Sequence, residues 1–251
     1  MNARTALPVA LALGLLCGAG RVRASGLNLS PVQVWLSQDT SKSLLTLRNE
    51  GPEDARFQVS VVAWDEDANA GMKLSPTEDI VAFPLLLELK VGETRSLRIG
   101  TVVPFGPVEK TYRVFLEELP PPEKPQTRST VRVLTRVGIP VFLAPVRTLE
   151  QHKLSPVTVA GAGASVDVQN HGNVHFRVET VRLEGFADGG SRLFEKEAQG
   201  WYVLAGAHKR YQLEIPREAC RKVRKLLVSV KTEKDQVYQE PLETPGGACG
   251  T

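Results

Sequence analysis

Hydrophobic positions along this chain recur every second residue, in short runs bounded by turn residues, and seldom at helical spacing. Residues 27–36 (LNLSPVQVWL) alternate and are turned by Ser37-Gln38-Asp39. Residues 43–49 (SLLTLRN) are closed by Glu50-Gly51-Pro52, and residues 56–65 (RFQVSVVAWD) run into an acidic loop containing glycine. Extended segments over 80–89 are interrupted by Pro84, and residues 94–102 follow the turn Val91-Gly92-Glu93. Residues 112–119 (YRVFLEEL) are stopped by three prolines, and residues 129–143 (STVRVLTRVGIPVFL) close the set. About seven strands in this first half match an immunoglobulin-like count. A second set is predicted at 155–160, 164–170, 174–186, 192–195, 201–204, 210–215, 225–232 and 236–242, with Asn170-His171-Gly172-Asn173 as a hairpin-type turn. The pattern predicts an all-β chain of two tandem immunoglobulin-like β-sandwich domains. No linker rich in Gly, Ser or Pro separates them, so a fixed angle between them is expected.

The first residues change the picture of charge and compartment. Arg4 precedes an apolar run over 6–20, and Val22-Arg23-Ala24 offers a cleavage site after Ala24, with Ser25 as the alternative. Residues 1–24 are therefore expected to be a signal peptide, followed by domains at 25–145 and 146–251. The apolar run is short for a membrane span, and a bulky Leu16 before Cys17 disfavours lipid anchoring. Export without membrane insertion is expected. The formal charge of +3 is carried by the three leader arginines, which leaves a neutral mature chain and no basic footprint for nucleic acid. Cys220 and Cys249 remain; an exported pair reads as a disulfide, the alternative being two free thiols.

Residues 129–143 are the unusual feature. A strand is typically 5–6 residues long, and this run is nearly three times that. Period-2 geometry puts Val131, Val133, Thr135, Val137, Ile139 and Val141 on one face. Either the face packs wholly inside its own sandwich, or part of it is left open to receive a partner strand or partner core.

Several motifs occur in order: LNLSPVQVWLS, RFQVSVVAW, the Gly92-Glu93-Thr94 turn with Arg98 beyond it, and YRVFLEELPPP followed by the long VRVxxRxxxPVF strand. In this order they resemble the periplasmic pilus-assembly chaperones of the chaperone–usher pathway, and within them the branch associated with spore-coat-U-type subunits. The similarity spans the first domain and, more loosely, the second through SVDVQNHGNVHFRV. The resemblance implies two immunoglobulin-like domains in an L-shaped arrangement. It implies capture of incomplete pilus, fimbrial or spore-coat-U-like subunits by donor-strand complementation, and delivery to an outer-membrane usher. The donor residues would be Val131, Val133, Thr135, Val137 and Ile139. The family anchors the subunit carboxylate with a first-strand Arg and a last-strand Lys, yet Gln33 and Pro140 stand at those places. Arg113, then Arg136 and Arg98, are the substitute candidates, because a guanidinium fork suits a carboxylate.

No nucleophile elbow, P-loop or dinucleotide fingerprint occurs, Glu117-Glu118 point to opposite strand faces, and no cofactor is implied. His171 and His175 are four apart but not on a helix, so no metal site is expected. The expectation is a chaperone and not an enzyme; the alternative is a secreted immunoglobulin-like binding or surface-structural protein.

Overall fold

The computed structural model describes residues 26–66, 71–121, 133–245 and 247–248. Among these residues the alternation read from the sequence becomes nineteen strands, in four sheets, and one short helix.

In the first half, β1 (Leu27–Ser30), β3 (Lys42–Asn49), β8 (Thr94–Thr101) and β6 (Ile80–Phe83) pair in that order. The facing sheet runs β2 (Val34–Leu36), β10 (Arg136–Leu143), β9 (Lys110–Leu119), β4 (Ala55–Glu66) and β5 (Met72–Pro76), with β7 (Leu86–Leu89) also on β4. Alternate residues of both sheets point inward and are almost fully buried: Leu45 and Leu47 on β3, Leu97 and Ile99 on β8, Val114 and Leu116 on β9, Ile139 and Val141 on β10. Each such side chain contributes about 1.5–3 kcal/mol on leaving water, so the period-2 pattern itself selects this stack.

The second half repeats the plan. β11 (His152–Leu154), β12 (Thr158–Ala160) and β17 (His208–Glu214) pair with β13 (Gly163–Asn170). β15 (Arg192–Gln199), β14 (Phe176–Phe186), β18 (Lys225–Thr232) and β19 (Val237–Glu243) form the other sheet, and β16 (Tyr202–Val203) joins β14. A separate core of Val166, Val168, Val178, Leu183, Val228 and Val230 lies between them. The only helix among the described residues, α1 (Arg217–Cys220), was not expected from the sequence. It buries Ala219 and Cys220. Cys220 is disulfide-bonded, while Cys249 lies outside the described residues.

Both halves use a buried asparagine in an Asn-x-Gly step. Asn49 donates Nδ2 to the carbonyls of Glu53 and Leu89 and accepts from the Gly51 amide. Asn170 donates to Val174, Val203 and Leu204 and accepts from Gly172. The latter corrects the hairpin expectation: β13 and β14 belong to different sheets, and the turn carries the chain across the core.

A third apolar cluster, Trp64 and Phe142 with Tyr202 and Leu204, joins the two sandwiches. Polar bonds fix the same joint. Glu66 Oε2 accepts from the Leu204 amide at 3.1 Å, and Asn173 Nδ2 donates to Pro107 and Arg147 carbonyls at 2.7 Å.

Candidate functional site

Strand β10 is where the expectation of a long last strand meets the structure. Pairing covers Arg136–Leu143, and residues 133–135 are described but lie outside the strand. Val131 lies outside the described residues, as does most of the proline-rich loop before it. On one side β10 pairs with β9 along its whole length; on the other β2 reaches only Val141–Leu143. The Glu118 amide donates to the Thr135 carbonyl at 2.8 Å. Antiparallel alternation then aims the backbone of Val137, Ile139 and Val141 at β9, and that of Arg136 and Gly138 away from it. Pro140, next on the outer side, has no amide to leave unpaired. The result is a strand edge with no partner strand over Arg136–Pro140 among the described residues, its Gly138 carbonyl reached by a side chain instead.

The apolar face changes character along this edge. Leu143, Val141 and Ile139 are buried in the strand's own core, and Val137 is half-buried against it. Two and four residues further out, Thr135 is half-buried and Val133 is 84% exposed, more than any other large apolar side chain among the described residues. Leu134 beside it is also exposed. Of the four sequence-derived donor positions among the described residues, Ile139 is therefore committed to the home core, and Val133 is the one standing clear of it.

The opposite face of β10 looks toward the second sandwich. Gly138 lies under the Phe115 ring, where a Cβ would come within 2.7 Å of Cε1. Arg136 stacks its guanidinium 4.2 Å over Phe115 and pairs with Glu117 at 2.6 Å. Arg113, across from Pro140 on β9, is only 7% exposed. Its guanidinium sits 4.0 Å over Trp64, with Trp201 and Tyr202 at 5.8 and 6.0 Å. Nη1 donates to the Gly138 carbonyl at 3.3 Å, while Nε and Nη2 are buried without a partner. Burial pushes the Arg113 pKa down, opposed by Tyr202 and by the Glu66 carboxylate. Burial likewise pushes Glu66 up, against the Leu204 amide that it accepts from. The two unspent donors of this guanidinium are thus enclosed by the aromatic cage and shut off from water.

The three arginine candidates are not brought together. Arg113 and Arg136 share one face of their sheet. Arg98 projects from the outer face of the other sheet, between Leu44 and Phe83. Gln33 borders the joint, its Oε1 3.5 Å from the Tyr202 hydroxyl.

Sequence reasoning missed a buried pair at this joint. His175, from the second sandwich, directs Nδ1 (2.7 Å) and its amide (2.9 Å) to Glu109 Oε1 of the first. Both side chains are about 1% exposed, and the imidazole stacks on Phe142 at 3.7 Å. No local motif marks two residues so far apart in the chain.

Known proteins bear on this arrangement. The family model "Pili and flagellar-assembly chaperone, PapD N-terminal domain" matches residues 26–148. Among curated proteins, none matches. A chain of the CsuC–CsuE chaperone–tip adhesion subunit pre-assembly complex, from archaic chaperone–usher Csu pili of Acinetobacter baumannii, superposes with a TM-score of 0.59. It shares 17% identity, over 86% of this chain and 98% of that one. A chain of the Salmonella enterica SafA pilin–SafB chaperone complex gives 0.53 and 17% identity, over 88% and 98%. The E. coli chaperone DraB gives 0.53 and 18%, over 88% and 97%. At these identities the likeness shows the fold: two immunoglobulin-like domains over nearly the whole of each chain.

Proposed function

The chain belongs to the pilus-assembly chaperone family through residues 26–148, and from that premise we propose that the open edge of β10 holds incomplete pilus subunits until they are passed to an outer-membrane usher. The observation that carries this reading is an edge strand whose apolar face leaves its own core at Val137 and stands in water at Val133. An unguarded edge of that kind is a liability unless pairing is its purpose. The client lacks a strand; β10 supplies main-chain bonds through Arg136 and Gly138, and Val133 with its neighbours supplies apolar contact. Two or three such side chains are worth roughly 5 kcal/mol before ordering costs, so the client is held but remains displaceable. Nothing in this scheme uses a nucleotide or a covalent step.

The finer assignments belong to the same reading. Val131, Val133, Thr135 and Val137 form the donor face, with Ile139 as its buried inner end. Arg113 is the carboxylate anchor in place of the charges missing at Gln33 and Pro140. Residues 1–24 are removed on export to the periplasm, the domains divide at 145/146 in an L-shape, Cys220 pairs with Cys249, and the clients are of the spore-coat-U type.

The test is co-purification from periplasmic extract with wild type and Val133→Asp. Val133 touches no core, so the variant is expected to keep its thermal midpoint and lose its co-purifying subunit. A folded variant that retains the same subunit would remove β10 as the capture strand and leave a plain binding module.

A further inference from the structure

The end of β9 carries a feature that capture alone does not require. Extending the β9–β10 register by one residue sets Thr135 opposite Glu118. In an antiparallel ladder such a pair exchanges two main-chain bonds. Here the Glu118 amide reaches the Thr135 carbonyl at 2.8 Å, but the return bond is made by a side chain: the Thr135 amide donates to Glu118 Oε2 at 3.0 Å. One step further, register would set Val133 opposite Pro120, which has no amide to give, and the Pro120 carbonyl already accepts from Arg56 Nη2 at 2.8 Å. Among the described residues the ladder goes no further than Thr135, and the carboxylate takes part in its last rung.

We propose that Glu118 is a positioning residue for the capture strand, fixing the point and direction at which residues 133–135 leave the sheet so that Val133 is presented in water. This rests on the reading of β10 as the capture strand. Its energetic logic is preorganisation: a segment already held at Thr135 loses less chain entropy when a client pairs with it. Without the carboxylate, the Thr135 amide loses this acceptor, and the main-chain bond from the Glu118 amide to the Thr135 carbonyl is left without its reciprocal, so the take-off point is held less firmly. The rest of β9 keeps its pairing to β4 and β10, so global stability is expected to stay unchanged.

The experiment compares full-length mature wild type, Glu118→Ala, Glu118→Gln and Val133→Asp. The first readout is amide hydrogen exchange of the chain alone. Glu118→Ala is expected to speed exchange at Thr135 at least tenfold, with Val137 and Ile139 unaffected, and Glu118→Gln, whose Oε1 still accepts, to restore protection. The second readout titrates each variant against the subunit co-purified with wild type, unfolded in guanidinium and diluted into the chaperone. Glu118→Ala is expected to weaken capture about tenfold, the cost of re-ordering roughly one residue, and Glu118→Gln to rescue it. Unchanged Thr135 exchange in Glu118→Ala would overturn the clasp. So would wild-type capture by Glu118→Ala beside abolished capture by Val133→Asp, which leaves the capture strand standing. Normal capture by Val133→Asp would instead overturn the reading of β10 itself.

Discussion

The two sandwiches treat their sheet edges in opposite ways. In the second, the edge strand β15 is lined with charge: Arg192 pairs with Glu184 and Glu195, and Arg182 with Glu195 and Glu197. At the other edge of that sheet β19 carries Pro241 and sets Glu243 near Lys225. Such charges contribute little to stability, but a passing strand would have to bury them to pair. In the first sandwich the β10 edge has one proline, one ion pair on its outer face and exposed Val133 and Leu134 at its start. The same fold thus blocks strand addition at one place and invites it at another, and the choice is written in side chains and not in topology.

The largest expected effect that sharpens this contrast lies within β10 itself. Val141→Ala empties a fully buried site and should cost about 2–3 kcal/mol of stability. Val133→Ala should leave the unfolding transition where it is and weaken client capture about tenfold, since two methyl groups leave the contact. Chemical denaturation beside client titration separates the two; equal stability losses would erase the boundary drawn at Val137. Removing the guard from the second sandwich is the converse change. Arg192→Val with Glu195→Val should leave the monomer's thermal midpoint nearly unmoved and raise self-association, read by light scattering during refolding. A variant as monodisperse as wild type would show that those charges guard nothing.

The smallest effect concerns the joint that holds the guarded half against the bare one. Burial raises the Glu66 pKa above its ordinary value, so ionised Glu66 costs stability where it is charged in both folded and unfolded chains. Glu66→Gln should therefore raise the thermal midpoint by a degree or two at neutral pH. The gain should shrink as pH falls through the raised folded pKa and vanish below the unfolded one. A gain that grows in acid would reverse the assignment.

Much of the fold was legible because burial and alternation are the same fact seen twice: Leu45, Leu47, Leu97 and Ile99 announce their faces in the chain. The start of β10 was not legible. Val133, Thr135, Val137 and Ile139 alternate alike on both sides of the break, and the groups met there, the Glu118 carboxylate and then Pro120 just past the end of β9, come from another part of the chain. The turn at Asn170 was visible, but its destination was set by two distant carbonyls, those of Val203 and Leu204. Arg113 could be picked out as a cation beside the last strand. Its cage of Trp64, Trp201 and Tyr202, and the Glu109–His175 pair behind it, depend on two halves of the chain meeting.

The central claim is that a client strand pairs with the open edge of β10. The most direct measurement is hydrogen exchange at the Arg136 and Gly138 amides, with and without bound subunit. Both point away from β9, so in the free chain they should exchange quickly beside protected Val137 and Ile139, and client binding should slow them by at least a hundredfold. Amides at Arg136 and Gly138 that exchange at the same rate with the subunit bound would contradict the account.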